Sequence, residues 1–408
     1  MQGRKVALTG IGLITPFGTG NEVYWDGLME GRSAVRPAEG FDTDGLPTTY
    51  VAQMPSVDYA AWLHPTKSAL WGKVARIAVV ASCLALEDAG LKELDARRTG
   101  VFLGTGYGGN YELEQNYVTW IGKGWRRLKP TTVPRSMANA AASHIAIQHG
   151  LRGMNFSCST ACSSGAIATG MARDSIASGQ LDAIVTGGVD VLVNASILGS
   201  WCALRVLSRR NDPTASRPFS ADRDGLVIGE GAAVYLLEEM DAARRRGAHI
   251  YAEVLGVGAT NDATNIVGPD ERGEIECIGM ALDDAGIRPE DVDYVNAHGT
   301  GTKVNDANET NVLKKVFGAH AAALPVSSVK GHIGHTMGAA GAIEVATTAL
   351  CIDKGRLPAT LHFTPGDPVC DLDYVAEGAR AKDLRYALTN SFGFGGQNSA
   401  LVLKHPDA

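Results

Sequence analysis

The chain has 408 residues, of which 45% are hydrophobic and 20% are charged, a composition typical of a globular protein. Because one hydrophobic core rarely extends beyond about 250–300 residues, this length predicts two domains or a fused duplication. The net charge of −7, without a long basic run, argues against a nucleic-acid surface. The sequence has neither a signal-peptide pattern nor an apolar run of the roughly 18 residues that a membrane span needs, so we expect a cytoplasmic protein.

The predicted elements occur twice along the chain. A strand-like segment opens each half, a helix and a second strand follow, and a long helix comes later. The matching pairs are VALTGIG at 6–12 with AEVLGVG at 252–258, LALEDAGL at 84–91 with MALDDAGI at 280–287, and SSGAIATGMARDSIASGQL at 163–181 with AAGAIEVATTALCIDKGRL at 339–357. Three pairs in one order indicate a duplication, with mostly parallel sheets and helices between the strands.

The boundary between the two halves is predicted after residue 250, which gives an N-terminal half, 1–250, and a C-terminal half, 251–408. It follows a segment whose pattern predicts an amphipathic helix over 238–247. The first half carries insertions, and 107–150 is rich in aromatic and basic residues. We expect this insertion, called the cap below, to cover a functional site.

Cys162 lies in a context that favours a nucleophile over a structural thiol or a metal ligand. The seven cysteines lack metal-binding spacing and are not expected to form disulfides in a reducing compartment. Cys162 precedes a predicted helix that Ser163 and Ser164 are well suited to cap, and the repeat aligns it with Gly338. Because the positive end of the helix dipole lowers the pKa of a thiol, we predict a reactive thiolate at Cys162.

The second half supplies polar partners for this cysteine. His298 follows a predicted strand in NAHGTGT, and SSVKGHIGHTMGAAG places Lys330 and His335 before the helix that mirrors the one after Cys162. If the halves pack about a pseudo-dyad, His335 approaches the Cys162 sulfur. His332 is predicted to be structural. The glycine-rich NSFGFGGQN segment, 390–398, offers backbone N–H groups for half of an oxyanion hole.

Four motifs together resemble the β-ketoacyl-acyl carrier protein synthases of the thiolase superfamily. They are TACSSG around Cys162, VNAHGTGT around His298, SSVKGHIGHTMGAAG around Lys330 and His335, and NSFGFGGQN around Phe394. The resemblance covers nearly the whole chain. It implies an α/β protein with the thiolase fold, in which duplicated βαβαβαββ halves form a five-layer αβαβα sandwich.

The resemblance also implies roles for individual residues. Cys162 takes an acyl group from an acyl carrier protein, and His298 and His335 stabilise the enolate formed when the malonyl group loses carbon dioxide. The remaining implied roles are oxyanion binding by the N–H groups of Cys162 and Phe394, gating by Phe394, a buried pair of Lys330 with Glu344, and substrate contacts by Thr300, Thr302 and Phe392. Neither a metal nor another cofactor is implied.

Two departures from the fatty-acid-elongating branch favour a type II polyketide or polyene ketosynthase. Thr131 and Thr132 replace a bulky pair and leave more room in the acyl pocket, and Tyr107 stands where that branch has an aliphatic residue. The form HGTGTKVND also resembles polyketide synthases. Fatty-acid elongation is the near alternative, and acyl chain length stays open. Rival classes are a non-catalytic chain-length factor, a papain-like hydrolase and a thiolase.

An acyl carrier protein is an acidic partner, so its binding requires a local basic patch on a chain of negative net charge. The cap basic cluster, defined as Arg126, Arg127 and Lys129, is one candidate, and Arg205 is another. The resemblance further implies a homodimer, or a heterodimer with a chain-length-factor paralogue. No nucleic-acid or membrane partner is expected.

Overall fold

The computed structural model describes residues 3–91 and 93–408. Its strands are β1 Val6–Thr15, β2 Gly18–Thr19, β3 Arg36–Pro37, β4 Tyr50–Val51, β5 Thr99–Gly104, β6 Asn155–Cys158, β7 Ala183–Asp190, β8 Gly231–Glu239, β9 Ala252–Asn261, β10 Tyr294–Asn296, β11 Val326–Ser327, β12 Arg356–Leu357, β13 Arg380–Ala381, β14 Tyr386–Gly393 and β15 Gln397–Lys404. Its α-helices are α1 Asn21–Met29, α2 Pro65–Ser68, α3 Lys73–Asp88, α4 Asn110–Lys123, α5 Thr132–Ser136, α6 Ala140–His149, α7 Ser164–Ala177, α8 Ala195–Leu204, α9 Met240–Arg245, α10 Glu271–Ala285, α11 Lys303–Phe317, α12 Lys330–Ile333 and α13 Ala340–Lys354.

The sheet topology confirms the duplication. In the N-terminal half the strands lie in the order β6-β5-β7-β8-β1, and in the C-terminal half the order is β11-β10-β14-β15-β9. In both halves the first three strands of that order are parallel to one another, and the fourth is antiparallel to its neighbours. The halves join where β1 pairs with β9 in antiparallel fashion, so a pseudo-dyad passes between these two strands.

Helices cover both faces of the sheets, and two of them lie at the centre. The outer helix α3 packs on β1 and β8, and its counterpart α10 packs on β9 and β15. The central helices α7 and α13 pack against each other and against both sheets. Every residue of α13 from Ala340 to Ile352 is buried, because sheets and helices surround it. This gives the predicted order of helix, sheet, helix, sheet and helix layers.

The helix predicted over 238–247 is shorter than the sequence pattern suggests. Strand β8 continues to Glu239, and only Met240–Arg245 is helical. Glu238 and Glu239 pair with β1 instead of joining the helix. The Glu239 carboxylate then accepts from the N–H groups of Asp241 and Ala242 and so caps α9. The described residues contain no helix that is long and apolar enough to cross a membrane.

Candidate active site

The nucleophile candidate lies on a sharp turn between β6 and α7. Cys162 is the middle residue of a 3-10 turn, Ala161–Ser163, and Ala161 has a positive φ of 51°. This conformation is uncommon for a residue with a side chain and is typical of functional turns. The Cys162 side chain is buried, and it faces the C-terminal half rather than solvent.

The two serines after Cys162 do not cap α7 as predicted. The Ser163 hydroxyl donates to the Thr160 carbonyl at 2.8 Å, and the Ser164 hydroxyl donates to the Ala161 carbonyl at 2.6 Å. Neither side chain accepts from the first helical N–H groups. Both serines therefore stabilise the tight turn that carries Cys162 instead of the helix end.

Both predicted histidines reach the sulfur from the C-terminal half. His335 follows α12, and its Nε2 lies 3.1 Å from Cys162 Sγ. His298 follows β10, and its ring lies edge-on to that of His335, with 5.3 Å between the ring centroids. One ligand-type atom from each of the three residues lies within 4.8 Å of the others. The duplication predicted the approach of His335, because it sets the turn before α13 opposite the turn before α7.

Hydrogen bonds assign the tautomers of the two imidazoles. The Met337 N–H donates to His335 Nδ1 at 3.3 Å, and the Lys330 ammonium lies 3.5 Å from His298 Nδ1. In a neutral imidazole that accepts at Nδ1, the proton is on Nε2. Both histidines therefore present an Nε2–H donor to the space beside the sulfur.

Burial keeps both imidazoles neutral. Loss of solvent lowers the pKa of His298 and of His335 well below the usual value, and the charge of Lys330 lowers both further. An ammonium group close to an imidazole disfavours a second positive charge. The pair therefore acts as hydrogen-bond donors over the whole neutral pH range.

The predicted thiolate at Cys162 was wrong for the free protein. Burial raises the pKa of the Cys162 thiol to about 12, although Lys330 and the Phe394 N–H act in the opposite direction. The free-energy cost of removing a thiolate from water exceeds the stabilisation that a helix terminus and one nearby cation provide. Cys162 is therefore a neutral thiol until a substrate arrives.

A network of buried charged side chains holds the backbone of His298 in place. Lys330 donates to the His298 carbonyl and to Glu344, and the side chains of this ion pair are 2% and 1% exposed. Glu309 accepts from the N–H groups of His298 and Gly299 at 2.8 and 2.7 Å. Burial raises the pKa of Glu344 and of Glu309 to about 7 in each case.

The hairpin between β14 and β15 completes the site. A side chain at Gly393 would place its Cβ 2.7 Å from the Thr160 carbonyl oxygen, so only glycine permits this approach. The approach brings the Phe394 N–H to the Cys162 sulfur. Phe394 stacks on Trp201 with 5.7 Å between ring centroids, and Phe392 lies 5.9 Å from the His298 ring.

A cavity of about 460 Å³ leads from the surface to the sulfur. Its buried end is lined by Cys162, His298, His335 and Phe392. Thr300 and Thr302 also line it, with 3.0 Å between their hydroxyl oxygens. Exposed lining residues include Arg205 and Lys303. A cavity that joins exposed residues to a buried cysteine fits a substrate whose reactive end lies at Cys162.

Several predicted site residues lie outside this cavity. Tyr107 is exposed and accepts a hydrogen bond from Trp201 Nε1 at 3.1 Å. The Thr132 hydroxyl donates to Asn116 at 3.1 Å on the cap. The cap basic cluster is exposed but does not line the cavity. Tyr107 and Thr132 were assigned to the acyl pocket from family resemblance, and the cap basic cluster was assigned to carrier docking from its charge. Trp201, the hydrogen-bond partner of Tyr107, lines the cavity.

Lys303 and Glu309, which both bear on the site, were not singled out from the sequence. Lys303 begins α11 at the cavity mouth, and Glu309 lies on the same helix beneath His298. Glu309 follows the glycine-rich turn by two helical turns, a spacing that brings a carboxylate back to the free N–H groups of that turn. This spacing was the available signal for Glu309.

The fold and the site define a condensing-enzyme architecture, and comparison with protein families agrees. Models of the beta-ketoacyl synthase N-terminal domain and C-terminal domain match residues 3–243 and 251–364. The chain belongs to the beta-ketoacyl synthase family.

Two curated relatives match this chain over nearly their whole length. The chain is 40% identical to 3-oxoacyl-[acyl-carrier-protein] synthase 2 of Synechocystis sp., with 99% of each chain covered. It is 39% identical to the protein of the same name from Coxiella burnetii, again over 99% of both chains.

Solved structures confirm the predicted thiolase-type ketosynthase fold. The ishigamide ketosynthase/chain length factor is 35% identical, with a TM-score of 0.94 over 98% of this chain and 99% of that one. A second match is a chain from the structure of a type II PKS acyl-carrier protein in complex with its ketosynthase bound to the hexaketide. That chain is 32% identical, with a TM-score of 0.89 over 99% of both chains.

Proposed function

We propose that this protein is a β-ketoacyl-acyl carrier protein synthase that joins a Cys162-bound acyl group to a malonyl unit with loss of carbon dioxide. The observation that carries the proposal is a buried thiol beside two neutral imidazoles, each with an Nε2–H donor. Two donors aimed at one point stabilise an oxyanion or enolate in a dry site. A general base for hydrolysis would instead need a free ring nitrogen at the sulfur.

In the first half-reaction the Cys162 sulfur attacks the carbonyl carbon of an acyl thioester. The new C–S bond forms, the bond to the pantetheine sulfur breaks, and the Cys162 proton passes to that leaving sulfur. The oxyanion of the intermediate accepts from the N–H groups of Cys162 and Phe394. A neutral thiol suits this step, because the proton that it loses is the one that the leaving group needs.

In the second half-reaction a malonyl thioester occupies the same cavity. Its carboxylate leaves as carbon dioxide, and the electron pair of the broken C–C bond forms an enolate. The Nε2–H groups of His298 and His335 donate to the enolate oxygen. The enolate carbon then attacks the acyl carbonyl on Cys162, a C–C bond forms, and the sulfur leaves and regains one proton from solvent. No metal or nucleotide is required, since decarboxylation drives the step.

The substrate is proposed to arrive on the phosphopantetheine arm of an acyl carrier protein. Thr300 and Thr302 line the cavity between its mouth and Cys162, where their hydroxyl groups suit the amides of such an arm. Arg205 and Lys303 are exposed at the mouth and suit an acidic carrier surface. The complex of a ketosynthase with its carrier protein among similar structures supports this partner.

The pathway is proposed to be type II polyketide or polyene synthesis, with fatty-acid elongation as the alternative. Small residues at Thr131 and Thr132 and the similarity to the ishigamide and hexaketide-bound ketosynthases support the first. Relatives named 3-oxoacyl-[acyl-carrier-protein] synthase 2 support the second. Turnover of polyunsaturated or polyketo acyl carriers against saturated ones of equal length separates the two.

We also propose a dimer, with an identical chain or a paralogue, in the cytoplasm. Strand β6 is at the open end of the large sheet, where its outer backbone groups are free to pair. Helix α4, in the cap, exposes Tyr117, Val118, Trp120 and Ile121, with Ile121 85% exposed. A contiguous apolar patch of this kind suits a protein partner. The mass of the purified chain in solution, alone and with a paralogue, tests the proposal.

The function is tested by separating the half-reactions. Cys162→Gln removes the nucleophile but leaves both histidines, so it should still decarboxylate malonyl carrier protein while condensation disappears. His298→Ala and His335→Ala should still self-acylate but lose decarboxylation by roughly 10²–10³-fold. If either histidine variant condenses at the parent rate, that histidine is structural and the proposed mechanism is wrong.

A further inference from the structure

The C-terminal half contains a second turn of the same shape as the nucleophile turn. The 3-10 turn Met337–Ala339 leads into α13 as the turn Ala161–Ser163 leads into α7. Met337 and Ala161 share the same unusual φ of 51°. In this correspondence Gly338 occupies the place of Cys162. The Gly338 N–H is therefore the counterpart of an N–H that serves the oxyanion hole.

A carboxylate of the protein occupies this second turn. Asp190, the last residue of β7, is fully buried, and its Oδ2 accepts from the N–H groups of Gly338 at 2.7 Å and Gly106 at 2.9 Å. Its Oδ1 accepts from the Thr105 hydroxyl at 2.8 Å and from the Tyr107 N–H at 3.1 Å. Four donors from two segments thus surround one internal anion.

No side chain other than hydrogen fits at Gly338 beside this anion. An added Cβ would lie 2.2 Å from the Gly106 nitrogen and 2.6 Å from Asp190 Oδ2. The close contact means that Asp190 binds the turn before α13 tightly to the loop after β5. The counterpart turn on the other side, by contrast, leaves its N–H groups available to substrate.

The turn held by Asp190 also controls His335. Met337, the neighbour of Gly338, donates its N–H to His335 Nδ1 and so sets the Nε2–H tautomer. On the other side, the Tyr107 hydroxyl accepts from Trp201, which stacks on Phe394. Asp190 is therefore connected to His335 through the turn that contains Met337 and Gly338. It is connected to the cavity wall through Tyr107 and Trp201.

We propose that Asp190 is a positioning residue: it is an internal anion that fills the second half's counterpart of the oxyanion hole and thereby holds His335 in its donating orientation. The inference rests on the proposed function of the same site. This role of Asp190 explains why only the turn at Cys162, and not its counterpart at Gly338, is open to substrate. In the other half the protein supplies its own anion.

The experiment replaces the internal anion with an added one. Asp190→Ala should lower kcat for decarboxylation and condensation about 10²-fold, as for a misplaced catalytic group, with KM for the carrier protein unchanged. Sodium formate, compared with sodium chloride at equal ionic strength, should refill the emptied turn and restore kcat. Formate should also raise the melting temperature of Asp190→Ala but not that of the parent.

Two controls keep the outcome decisive. Glu238→Ala removes another buried carboxylate, at the opposite end of β8 and bonded to Thr9 and Arg246, so formate should not change its kcat. Asp190→Asn keeps the volume but presents an amide group to the N–H donors, so its kcat should be low and unresponsive to formate. If Asp190→Ala yields no folded protein, Asp190→Asn decides: a lowered kcat at constant KM supports positioning, and parent kcat overturns it.

The remaining outcomes also separate the two proposals. The positioning role is overturned if both Asp190 variants keep the kcat of the parent. It is also overturned if Asp190→Ala loses kcat and formate changes neither its kcat nor its melting temperature. A parent protein that never condenses refutes the proposed function instead. In that case the formate-dependent melting temperature still reports whether the turn binds an anion.

Discussion

Lys330→Met separates the electrostatic role of Lys330 from its packing. The side chains of Lys330 and Glu344 are 2% and 1% exposed, so the substitution leaves a buried carboxyl group without its cation. Removing one partner of a buried pair costs about 3–5 kcal/mol of unfolding free energy. The same change removes the ammonium group beside His298 Nδ1, so kcat should fall as well.

The pH dependence of this loss follows from Glu344. Burial already raises the pKa of this carboxyl from 4.5 to about 7, and loss of Lys330 raises it further. A carboxyl whose folded pKa lies above its unfolded value stabilises the fold below the unfolded pKa, and this contribution is lost as pH rises to the folded pKa. Above pH 7 the parent therefore loses little further stability through Glu344, whereas Lys330→Met, with its higher Glu344 pKa, continues to lose stability. The deficit of Lys330→Met should therefore widen by about 1.4 kcal/mol per pH unit.

Urea unfolding of the parent, Lys330→Met and Lys330→Met/Glu344→Leu at pH 7, 8 and 9 measures this deficit. The double variant has no buried charge, so its stability should recover and its deficit should not widen, while kcat stays low. A deficit that is constant with pH, or a double variant no more stable than the single one, would refute the assignment of Lys330 as the counter-charge of Glu344.

Three further predictions concern the nucleophile, the histidines and the carrier protein. An acyl thioester or a cerulenin-like epoxide should label Cys162 and not Cys158, and peptide mass mapping that finds label on Cys158 contradicts the site. Because folded His335 stays neutral whereas the unfolded chain binds a proton, His335→Gln should gain stability relative to the parent as pH falls below about 6.5, approaching 1.4 kcal/mol per pH unit. If urea unfolding gives the same stability difference between His335→Gln and the parent at pH 6.5 and 5.5, the native imidazole is protonated and the assignment is wrong. Arg205→Glu with Lys303→Glu should raise KM for acyl carrier protein several-fold but spare a short pantetheine thioester, and charge reversal of the cap basic cluster should have less effect.

The duplication predicted the repeated order of strands and helices and the approach of His335 to Cys162, whereas the thiolase fold was implied by the family resemblance. Paired segments aligned Cys162 with Gly338 and so placed His335, three residues earlier, opposite the sulfur. The alternation of strands and helices follows from local periodicity. The expected mostly parallel sheets were wrong, because β8, β1, β9 and β15 pair in antiparallel fashion. The helix after residue 238 was overextended, because the pairing of Glu238 in β8 is a long-range contact.

The properties that sequence did not predict depend on neighbours from distant segments. The thiolate at Cys162 was inferred from a local helix dipole, whereas burial by both halves decides its pKa. Asp190 has no sequence motif around it, and its role appears only when Gly106 and Gly338 meet at its carboxylate. Tyr107 was assigned to the acyl pocket by resemblance, which stays a prediction; its hydrogen-bond partner Trp201 lines the cavity that reaches Cys162.

The central claim is that Cys162 carries the acyl group and is discharged by a decarboxylated malonyl unit. A single-turnover experiment on the intact protein tests it most directly. Acyl carrier protein thioester should add one acyl mass at Cys162, and malonyl carrier protein should then remove that mass, with one carbon dioxide released for each 3-oxoacyl product formed. Acyl mass that is lost to water as free acid, or that persists while carbon dioxide is released, would contradict the account.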